Sequence, residues 1–334
     1  MNIIIPMAGM GKRMRPHTLT VPKPLLPIAG KPIVNRLVED IAKVCPGKID
    51  NIGFVVGHFG ETVEKELLNI AASVGAKGHI FYQEEALGTA HAVFCAEPLL
   101  KGNVIVAFAD TLFKADFKLD VNRDGIIWVQ EVEDPSAFGV VKLNSDGEII
   151  DFVEKPKDPI SNLAIIGIYY FKNGDNLHLE IKDIIDKDLK DSGEYQLTRV
   201  LKNMQSKGTI FVPGQVSDWL DCGNKNATVE TNSRYLHYLQ EENLVAKSAI
   251  LKNSVIIPPC FIGEQAELHN TIVGPFVSIG DKTVVRDSRI KTSIIQGNSL
   301  LVNVNLQNSM IGNFVTIEEK PLDLSLSDYS TIIQ

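Results

Sequence analysis

A six-residue spacing of apolar side chains in the last third of the chain constrains the fold more than any other feature. From about residue 244 onward, single Ile, Leu or Val residues recur every five or six positions. A helix repeats every 3.6 residues and a half-buried strand every two, so neither produces this spacing. The series consists of Ile250, Ile256, Ile262, Leu268, Val273, Ile279, Val285, Ile290, Ile295, Leu301, Leu306, Ile311 and Ile317. Such a period is typical of a solenoid.

Three such units per turn form a prism of parallel β-strands in which each unit points one apolar side chain inward. Glycine follows several of the apolar positions, as at Gly263, Gly274 and Gly280. The pattern resembles the left-handed parallel β-helix of the hexapeptide-repeat family. This resemblance predicts such a domain over residues 245–320, in about four turns, followed by an irregular polar tail over residues 321–334. The alternative is a β-rich domain in which the spacing is accidental.

Residues 1–240 instead alternate short apolar runs with amphipathic stretches. Asn2–Pro6 is a continuous apolar run, typical of a buried parallel strand, and Ile33–Val44 carries apolar residues at helical spacing. The alternation predicts an α/β fold with a Rossmann-like, mostly parallel sheet. Gly139–Leu143 and Ile149–Glu154, joined through Asn-Ser-Asp-Gly, predict a hairpin-like insertion.

The composition excludes several classes of protein. Of 334 residues, 44% are hydrophobic and 22% are charged, which is ordinary for a globular protein with a large core. The formal net charge of −8 argues against nucleic acid as a partner. No apolar run is long enough to span a membrane, and the one at the start is too short for a signal peptide. Four scattered cysteines without a CxxC pair predict reduced thiols, so we expect a cytoplasmic protein with no membrane partner.

The segment directly after the first strand has the composition of a phosphate-binding loop. Glycines at positions 9 and 11 allow the backbone to approach a ligand, and Lys12, Arg13 and Arg15 add positive charge. Pro6 and Arg13 stand where a Walker loop needs Gly and Ser or Thr. Met14 stands where a dinucleotide fingerprint needs its third glycine. By itself the loop is also compatible with a tight turn that binds nothing.

Two further segments make the pattern specific. Lys23 lies between Pro22 and Pro24, which fix the backbone and reduce the entropy lost when the lysine is aimed at a ligand. A Gly-Lys-Pro-Ile segment begins at Gly30. Together with the glycine loop, these segments resemble the sugar-1-phosphate nucleotidyltransferase family (NDP-sugar pyrophosphorylases), and in particular its glucose-1-phosphate thymidylyltransferases. The resemblance implies a catalytic domain over residues 1–240.

The resemblance assigns residues to the phosphates. Arg13 would stabilise the departing pyrophosphate, and Lys23 would hold the sugar phosphate and the α-phosphate together. Lys12 stands where many thymidylyltransferases carry Thr, so it keeps a donor but changes its charge. The residues implied for nucleotide binding are Ala8, Gly9, Gly11, Lys12, Gln83, Gly88 and Thr89.

Gln83 and the segment after it indicate the base. A Gln amide offers a donor and an acceptor, which pair with a pyrimidine edge, and Gly88 allows the backbone to reach the same base. The pattern resembles the pyrimidine-nucleotide members of the family, and both dTTP and UTP satisfy it. His91 falls inside a predicted helix and is interpreted as a packing or capping residue.

Two aspartates are predicted to hold Mg²⁺. Asp110 ends the apolar strand Val104–Ala109, and a carboxylate at that position is placed to hold Mg²⁺ against phosphates. Asp221 lies in a segment that resembles the second metal motif of the family, and Asp218 is its nearest rival. Either aspartate alone is also compatible with a helix cap or a turn.

The resemblance places the sugar 1-phosphate on a separate group of residues. Glu154 would accept hydrogen bonds from sugar hydroxyls, and Lys155 would contact the sugar phosphate. The residues implied for the sugar phosphate are Phe138, Gly139, Glu154, Lys155 and Gly167. Glu194 is a further candidate for the sugar.

The resemblance therefore implies Mg²⁺-dependent transfer of a nucleotidyl group from dTTP or UTP to a sugar 1-phosphate. Glucose 1-phosphate is the default, and N-acetylglucosamine 1-phosphate is the alternative. A sugar 1-phosphate is already an anion at neutral pH, so a single displacement needs no general base. One alternative is a bifunctional enzyme with acyltransferase activity in the β-helix, where only His269 is a candidate base and has no obvious partner. The others are a non-catalytic regulatory or scaffold protein and a nucleotide-binding sensor. The β-helix is expected to assemble a homo-oligomer.

Overall fold

The apolar run at the start of the chain forms a central strand of a nine-stranded sheet. The computed structural model describes residues 1–9, 11–156 and 160–331; Met10 of the glycine loop and residues 332–334 of the predicted tail lie outside the described residues. The strands before residue 240 are β1 (Asn2–Pro6), β2 (Pro27–Ile28), β3 (Lys31–Pro32), β4 (Asn51–Val56), β5 (Lys77–Tyr82), β6 (Val104–Ala107), β7 (Thr111–Lys114), β8 (Gly125–Glu131), β9 (Gly139–Leu143), β10 (Ile149–Glu154), β11 (Leu163–Phe171), β12 (Phe211–Gln215) and β13 (Asp218–Asp221). The α-helices are α1 (Ile33–Val44), α2 (Glu61–Ser73), α3 (Thr89–Phe94), α4 (Gly174–Asp186), α5 (Leu197–Ser206) and α6 (Lys225–Tyr238). Short 3₁₀-helices span Lys12–Met14, His17–Leu19, Lys23–Leu25 and Glu97–Leu99.

The order of strands in the large sheet is β10-β9-β11-β6-β1-β4-β5, and β8 joins β11 to β12. Strands β1, β4, β5 and β6 run parallel, so their carboxyl ends meet at one edge of the sheet. The antiparallel pairings all involve β9 or β11, and they include the predicted hairpin of β9 and β10. The predicted Rossmann-like α/β fold is confirmed, with the antiparallel pairs of this sheet supplied by the hairpin of β9 and β10 and by β11.

Helix α1 shows how the apolar pattern directs burial. The apolar positions that predicted this helix are at most 4% exposed. Its bounds match the predicted ones, and Pro46 follows directly after the C-cap residue Cys45. Because the residue before a proline disfavours helical dihedrals, the sequence itself limits the end of the helix.

The last third of the chain is a β-helix of three parallel sheets. Its strands are β14 (Ile250–Lys252), β15 (Val255–Ile256), β16 (Cys260–Ile262), β17 (Glu267–His269), β18 (Ile272–Val273), β19 (Val277–Ile279), β20 (Val284–Arg286), β21 (Arg289–Lys291), β22 (Ser293–Ile295), β23 (Leu300–Val302), β24 (Asn305–Gln307), β25 (Met310–Ile311) and β26 (Thr316–Glu318). Every third strand belongs to the same sheet, which gives the orders β14-β17-β20-β23-β26, β15-β18-β21-β24 and β16-β19-β22-β25. The predicted β-helix is confirmed, and its strands lie within residues 245–320.

The register of the coil corrects the predicted spacing at its first position. The paired positions along one face are Leu251, Leu268, Val285, Leu301 and Ile317. One turn therefore takes 17 residues in the first two turns and 16 in the next two, as three steps of five or six residues give. The predicted series began at Ile250, which instead pairs with Glu267. The three middle positions of the face are fully buried, so they form the core of the coil.

One corner of the coil is built by residues that tolerate a left-handed backbone. Asn253, Asn270, Asp287 and Asn303 occupy equivalent positions on successive turns, and all have φ between 48° and 56°. Asn and Asp adopt this conformation more readily than other non-glycine residues. Their side chains also bond along the coil: Asn270 accepts from Asn253 at 3.4 Å and donates to Asp287 at 3.0 Å. The polar corner therefore adds side-chain hydrogen bonds between turns.

The chain divides into two compact units. The first comprises residues 1–26 and 31–227, and the second comprises residues 27–30 and 228–334. This division falls within α6, whereas the sequence analysis set the domain boundary near residue 240. Within the second unit, the backbone N–H of Ala29 donates to Asn232 Oδ1 at 2.9 Å. No helix within the described ranges is both long enough and apolar enough to cross a membrane.

Candidate active site

A cleft of about 440 Å³ opens in the first unit where β1, β5 and β6 end. Segments that follow parallel strands emerge at the same edge, so the residues after these three strands come together there. The predicted site residues that line the cleft are Ala8, Gly9, Gly11, Lys12, Arg13, Lys23, Gln83, Gly88, Thr89 and Asp110. The cleft thus unites the residues assigned to the nucleotide with one of the two predicted metal ligands.

The glycine loop packs against the lysine segment. Gly11 has a left-handed backbone (φ 54°) and begins the 3₁₀-helix Lys12–Met14. A Cβ at Gly11 would lie 3.0 Å from Cβ of Lys23 and 3.1 Å from Cγ2 of Thr18, so glycine is needed for close packing as well as for its φ. The Thr18 hydroxyl donates to the Gly11 carbonyl at 2.8 Å and braces the loop. A Cβ at Gly9, by contrast, would have no neighbouring atom within 4 Å, so this backbone is open to a ligand.

Lys23 is a buried cation at the cleft. Its side chain is only 9% exposed, yet its ammonium group lies 3.3 Å from Oδ2 of Asp110, whose side chain is 53% exposed. Burying a charge without a partner is costly, and the carboxylate of Asp110 supplies that partner. The flanking prolines hold Lys23 in a short 3₁₀-helix, as their fixed φ values favour.

The second predicted metal ligand lies beside the same charges. Strand β13 pairs antiparallel with β7, which sets Asp221 opposite Thr111, and the N–H of Cys222 donates to the carbonyl of Asp110 at 3.1 Å. Burial raises the pKa of Asp221, and the hydrogen bond from the Gly223 N–H at 2.9 Å opposes this rise.

Three charged groups act on the Asp221 carboxyl through space. Lys23 and Arg13 lower its pKa, whereas the Asp110 carboxylate raises it. Arg13 also comes close in space, because a Cβ on Gly223 would meet both the Asp221 carboxyl at 3.0 Å and Nη2 of Arg13 at 3.4 Å. Asp218, the alternative to Asp221 as the second metal ligand, lies at the other end of β13, opposite Lys114. The structure therefore brings Arg13 and Lys23 together with two carboxylates.

The two carboxylates form a suitable, incomplete donor set for a divalent cation. No cluster of three or more His, Cys, Asp or Glu side chains that could hold a metal is found among residues 1–9, 11–156 and 160–331. Mg²⁺ is commonly held by one or two carboxylates together with substrate phosphates, because it retains a nearly octahedral oxygen shell. Asp110 and Asp221 fit this arrangement, in which a triphosphate supplies the remaining oxygens.

The turn that follows Gln83 is fastened to a distant segment. The N–H of Tyr195 donates to the carbonyl of Leu87 at 2.8 Å, and the N–H of Ala90 donates to the carbonyl of Tyr195 at 2.9 Å. Gly88 has φ 117°, and a Cβ there would lie 2.5 Å from the oxygen and 2.7 Å from the nitrogen of Tyr195. The sequence predicted glycine here so that the backbone could approach a base. The structure shows a different reason for glycine, namely its close contact with the Tyr195 backbone.

Thr89 is bound to the same distant segment. Its hydroxyl accepts from the N–H of Leu197 at 2.9 Å and donates to Oε1 of Gln196 at 3.3 Å. The two hydrogen bonds orient the hydroxyl toward the start of α5. Thr89 therefore joins the wall of the cleft to α5.

The residues predicted for the sugar phosphate lie in a neighbouring group. Strands β9 and β10 set Gly139 opposite Glu154, and a Cβ on Gly139 would lie 3.2 Å from Oε2 of Glu154. Lys155 has φ 44°, and its N–H donates to the carbonyl of Phe138 at 3.0 Å. Burial raises the pKa of Glu154; Lys155 lowers it and Glu194 raises it. The described residues that line the cleft include none of the five assigned to the sugar phosphate.

Three contacts nevertheless join this group to the cleft. The carbonyl of Gly167 accepts from the N–H of Phe108, a residue of the cleft wall, at 2.9 Å. Phe138 meets Trp219 of β13 edge to face, with ring centroids 4.9 Å apart. Tyr169 meets Phe108 edge to face, with ring centroids 6.2 Å apart. Burial raises the pKa of the Tyr169 hydroxyl, and the carboxylates of Glu154 and Asp110 raise it further.

Sequence reasoning did not identify several residues of the site. Phe108 and Gly223 line the cleft, and Tyr169 and Trp219 connect it to the sugar group. Glu194, which was only a further candidate, also lines the cleft. Gly223 and Trp219 stand within the predicted second metal motif, so their neighbourhood was the available signal. Tyr169 and Phe108 carry no motif of their own.

The β-helix also holds a pair that the sequence did not indicate. Nε2 of His269 lies 3.2 Å from Oε2 of Glu267, on the same strand two residues earlier. The expectation that His269 has no partner is therefore wrong. Register sets His269 between Lys252 and Arg286 of the neighbouring turns, so charged residues flank it on both sides.

Comparison with known proteins gives consistent results. The family described as Nucleotidyl transferase matches residues 2–237. A glucose-1-phosphate thymidylyltransferase of Streptomyces antibioticus is 29% identical over 96% of this chain and 94% of its own length. The bifunctional protein GlmU of Methanococcus maripaludis is 31% identical over 96% of this chain and 85% of its own length. The crystal structure of a UDP-glucose pyrophosphorylase complexed with UDP-glucose superposes with a TM-score of 0.57 at 25% identity, covering 71% of this chain and 98% of that one.

Proposed function

The chain belongs to the nucleotidyl transferase family and is an enzyme of the sugar-1-phosphate type, and from this membership we propose that it joins a pyrimidine nucleotide to glucose 1-phosphate. The reaction consumes dTTP or UTP and yields the nucleoside-diphosphate sugar and pyrophosphate. It requires a divalent cation, Mg²⁺, as cofactor. The observation that carries the proposal is that Arg13, Lys23 and Asp110 line one cleft and that Asp221 lies beside the same charges. Relatives named thymidylyltransferase and UDP-glucose pyrophosphorylase support both nucleotides.

The reaction is a single displacement at phosphorus. An oxygen of the sugar phosphate attacks the α-phosphorus, a new P–O bond forms, and the bond to the bridging oxygen of pyrophosphate breaks. The attacking phosphate is already ionised, so no side chain needs to remove a proton. The chief barriers are the approach of two polyanions and the charge that accumulates on the leaving pyrophosphate.

The charged side chains of the cleft address these barriers. Lys23 is held in place by burial and by its ion pair, so its ammonium is preorganised for the phosphates between which the new bond forms. Arg13, on the loop that follows β1, neutralises the pyrophosphate as it leaves. Asp110 and Asp221 would hold Mg²⁺, which neutralises phosphate charge and orients the triphosphate when bound. Glu154 and Lys155 would bind the sugar hydroxyls and the sugar phosphate.

Pyrophosphate release with Mg²⁺ tests this proposal directly, over a grid of four nucleoside triphosphates and a panel of sugar 1-phosphates. We expect turnover with dTTP or UTP and glucose 1-phosphate. Lys23→Met, which keeps the side-chain length without the charge, should reduce kcat by roughly 100- to 1000-fold. The matched control is Lys48→Met at an exposed position outside the cleft, which should keep the full rate.

Two results would contradict the proposal. A folded protein that binds a triphosphate but releases no pyrophosphate anywhere on the grid would favour the regulatory or sensor alternative. Full activity of Lys23→Met would show that the Lys23 ammonium takes no part in the reaction.

A second activity is favoured by one observation in the β-helix. The Glu267–His269 pair supplies an imidazole with a carboxylate partner, which can orient it as a general base, and the matching relative from Methanococcus maripaludis is named bifunctional. An assay of acetyl transfer from acetyl-CoA to an amino sugar phosphate, monitored by the release of the free thiol of coenzyme A, tests this second activity. Thiol release that survives His269→Ala would exclude this pair as its source.

The setting of the enzyme completes the proposal. We infer that the enzyme is cytoplasmic. We also infer that it is a homo-oligomer assembled through the β-helix, since apolar side chains are exposed on the first turns of the coil, including Ile250, Val255 and Ile272. Light scattering of the purified protein gives the mass in solution, and a monomer at micromolar concentration would refute the assembly.

A further inference from the structure

The side-chain amide of Gln83 is oriented by two acceptors. Its nitrogen Nε2 lies 3.4 Å from the carbonyl oxygen of Gly88 and 3.2 Å from Nδ1 of His91. A carbonyl oxygen only accepts hydrogen bonds, so it selects the amide nitrogen rather than the amide oxygen. Both hydrogens of the amide are directed at the turn and the helix that follow, and Oε1 is left as the group that Gln83 offers to the cleft it lines. The amide therefore offers the base an acceptor alone, rather than the donor and acceptor that the sequence predicted.

His91 supplies the second acceptor only as a neutral ring. In that form Nδ1 accepts from Gln83 and the other nitrogen carries the proton, whereas a protonated ring would donate from both nitrogens and oppose the amide. Burial lowers the pKa of His91, and the nearby Glu85 carboxylate raises it. The position of His91 in the first turns of α3, three residues after Gly88, brings both acceptors to the same amide.

We propose that His91 is a positioning residue that fixes the Gln83 amide, so that the enzyme accepts bases with a ring N3–H and rejects cytosine. This inference rests on the proposed function, because it concerns the choice of nucleotide at that site. Uracil and thymine present a hydrogen at N3, which Oε1 accepts. Cytosine presents a lone pair at N3, so that two acceptors face each other and a polar group of the base is left without a partner.

A positioning role accounts for His91, which the sequence alone left as a packing or capping residue. A histidine that only packs would need neither its Nδ1 lone pair nor a neutral state. In the structure its ring nitrogen contacts the one side chain assigned to the base. The family resemblance leaves dTTP and UTP equivalent, and so does this arrangement, because both carry the N3–H.

A pair of nearly isosteric variants tests the role of the lone pair. His91→Asn keeps an acceptor close to the position of Nδ1, and His91→Leu has a similar shape without one. The measurement is kcat/KM for UTP, dTTP and CTP at saturating sugar 1-phosphate, and the readout is the preference for UTP or dTTP over CTP. His91→Leu should reduce this preference about 10-fold, mainly through KM, and His91→Asn should keep it within about 3-fold of the wild type. His91→Phe, which keeps a ring of similar size, is the second variant should His91→Leu fail to fold.

The outcomes separate this inference from the proposed function. An unchanged preference in folded His91→Leu or His91→Phe would overturn the inference while leaving the enzyme class intact. An equal loss in the Asn and Leu variants would also overturn it, because packing alone then accounts for the effect. If the wild type turns over no nucleotide, the proposed function fails. The ratio of the dissociation constants for UTP and CTP, measured by calorimetry on the same variants, then decides the inference.

Discussion

The contact between Gly88 and Tyr195 makes a quantitative prediction. Gly88 precedes α3 with φ 117° and ψ 176°, a region that side chains avoid, and Gly60 precedes α2 with φ 89° and ψ 160°. Alanine at either position should therefore lose a similar amount of folding free energy through backbone strain, roughly 1–3 kcal/mol. Only at Gly88 does the new methyl group meet another part of the chain, at 2.5 Å from the Tyr195 oxygen.

Gly88→Ala should lose additional folding free energy because hydrogen bonds must break. Relief of this overlap requires the turn to separate from Tyr195, which breaks the backbone bonds from Tyr195 to Leu87 and from Ala90 to Tyr195. At about 1 kcal/mol for each bond, Gly88→Ala should lose about 2 kcal/mol more than Gly60→Ala. Because Gly88 lines the cleft and Gly60 does not, only Gly88→Ala should also raise KM for the nucleotide.

The assay combines urea unfolding of both variants with pyrophosphate release at increasing nucleotide concentration. The unfolding transition of the first unit gives the difference in free energy, and steady-state kinetics gives KM. Equal destabilisation of the two variants would refute the reasoning, since it would mean that the Tyr195 contact adds nothing to the strain. A raised KM in Gly60→Ala would refute the link between the turn and the nucleotide.

Three further predictions concern charge, thiol chemistry and metal. Asp40→Ala should lower the free energy of unfolding by about 3 kcal/mol, as measured by urea unfolding. Asp40 is 4% exposed and lies 3.2 Å from the Lys114 ammonium, whose charge would lose this partner. Burial raises the pKa of the Cys45 and Cys260 thiols to about 11, so at pH 8 each should react with iodoacetamide roughly 100-fold more slowly than a free thiol, and more rapidly as the pH rises through that value. Alkylation of the folded protein at the rate of free cysteine would contradict this. EDTA should abolish pyrophosphate release and added Mg²⁺ should restore it, and Asp110→Asn should lose roughly 100-fold in kcat; activity in EDTA would exclude a metal requirement.

Elements with one uninterrupted apolar period were predictable from the sequence. Strands β1, β9 and β10 and helix α1 have the predicted bounds. In β1 and α1 the apolar residues that predicted the element are at most 4% exposed, whereas Ile150 of β10 is 47% exposed. Helix α6 was not predicted. Thr228, Thr231 and Asn232 are buried on it, so polar side chains occupy the face that a helical pattern would need to be apolar.

The candidate site was predictable only where it is local in the chain. The glycine loop and Lys23 could be recognised because their chemistry lies within a few neighbouring residues. The contact of Gly88 with Tyr195 joins segments more than a hundred residues apart, and a single sequence does not record which residue lies opposite. The orientation of the Gln83 amide depends on His91, which had been interpreted as a packing or capping residue. The Glu267–His269 pair depends on strand geometry.

The membership of residues 27–30 in the second unit bears on how such a chain can be recombined in evolution. Residues on both sides of this segment belong to the first unit. A Cβ on Gly30 would lie 2.2 Å from the ring of Phe261, so this turn and the coil are fitted to each other. A gene fusion that exchanged everything after residue 240 would import a new coil beneath an old turn. An exchange of the coil preserves this fit when the short segment, encoded more than two hundred codons earlier, is exchanged with it.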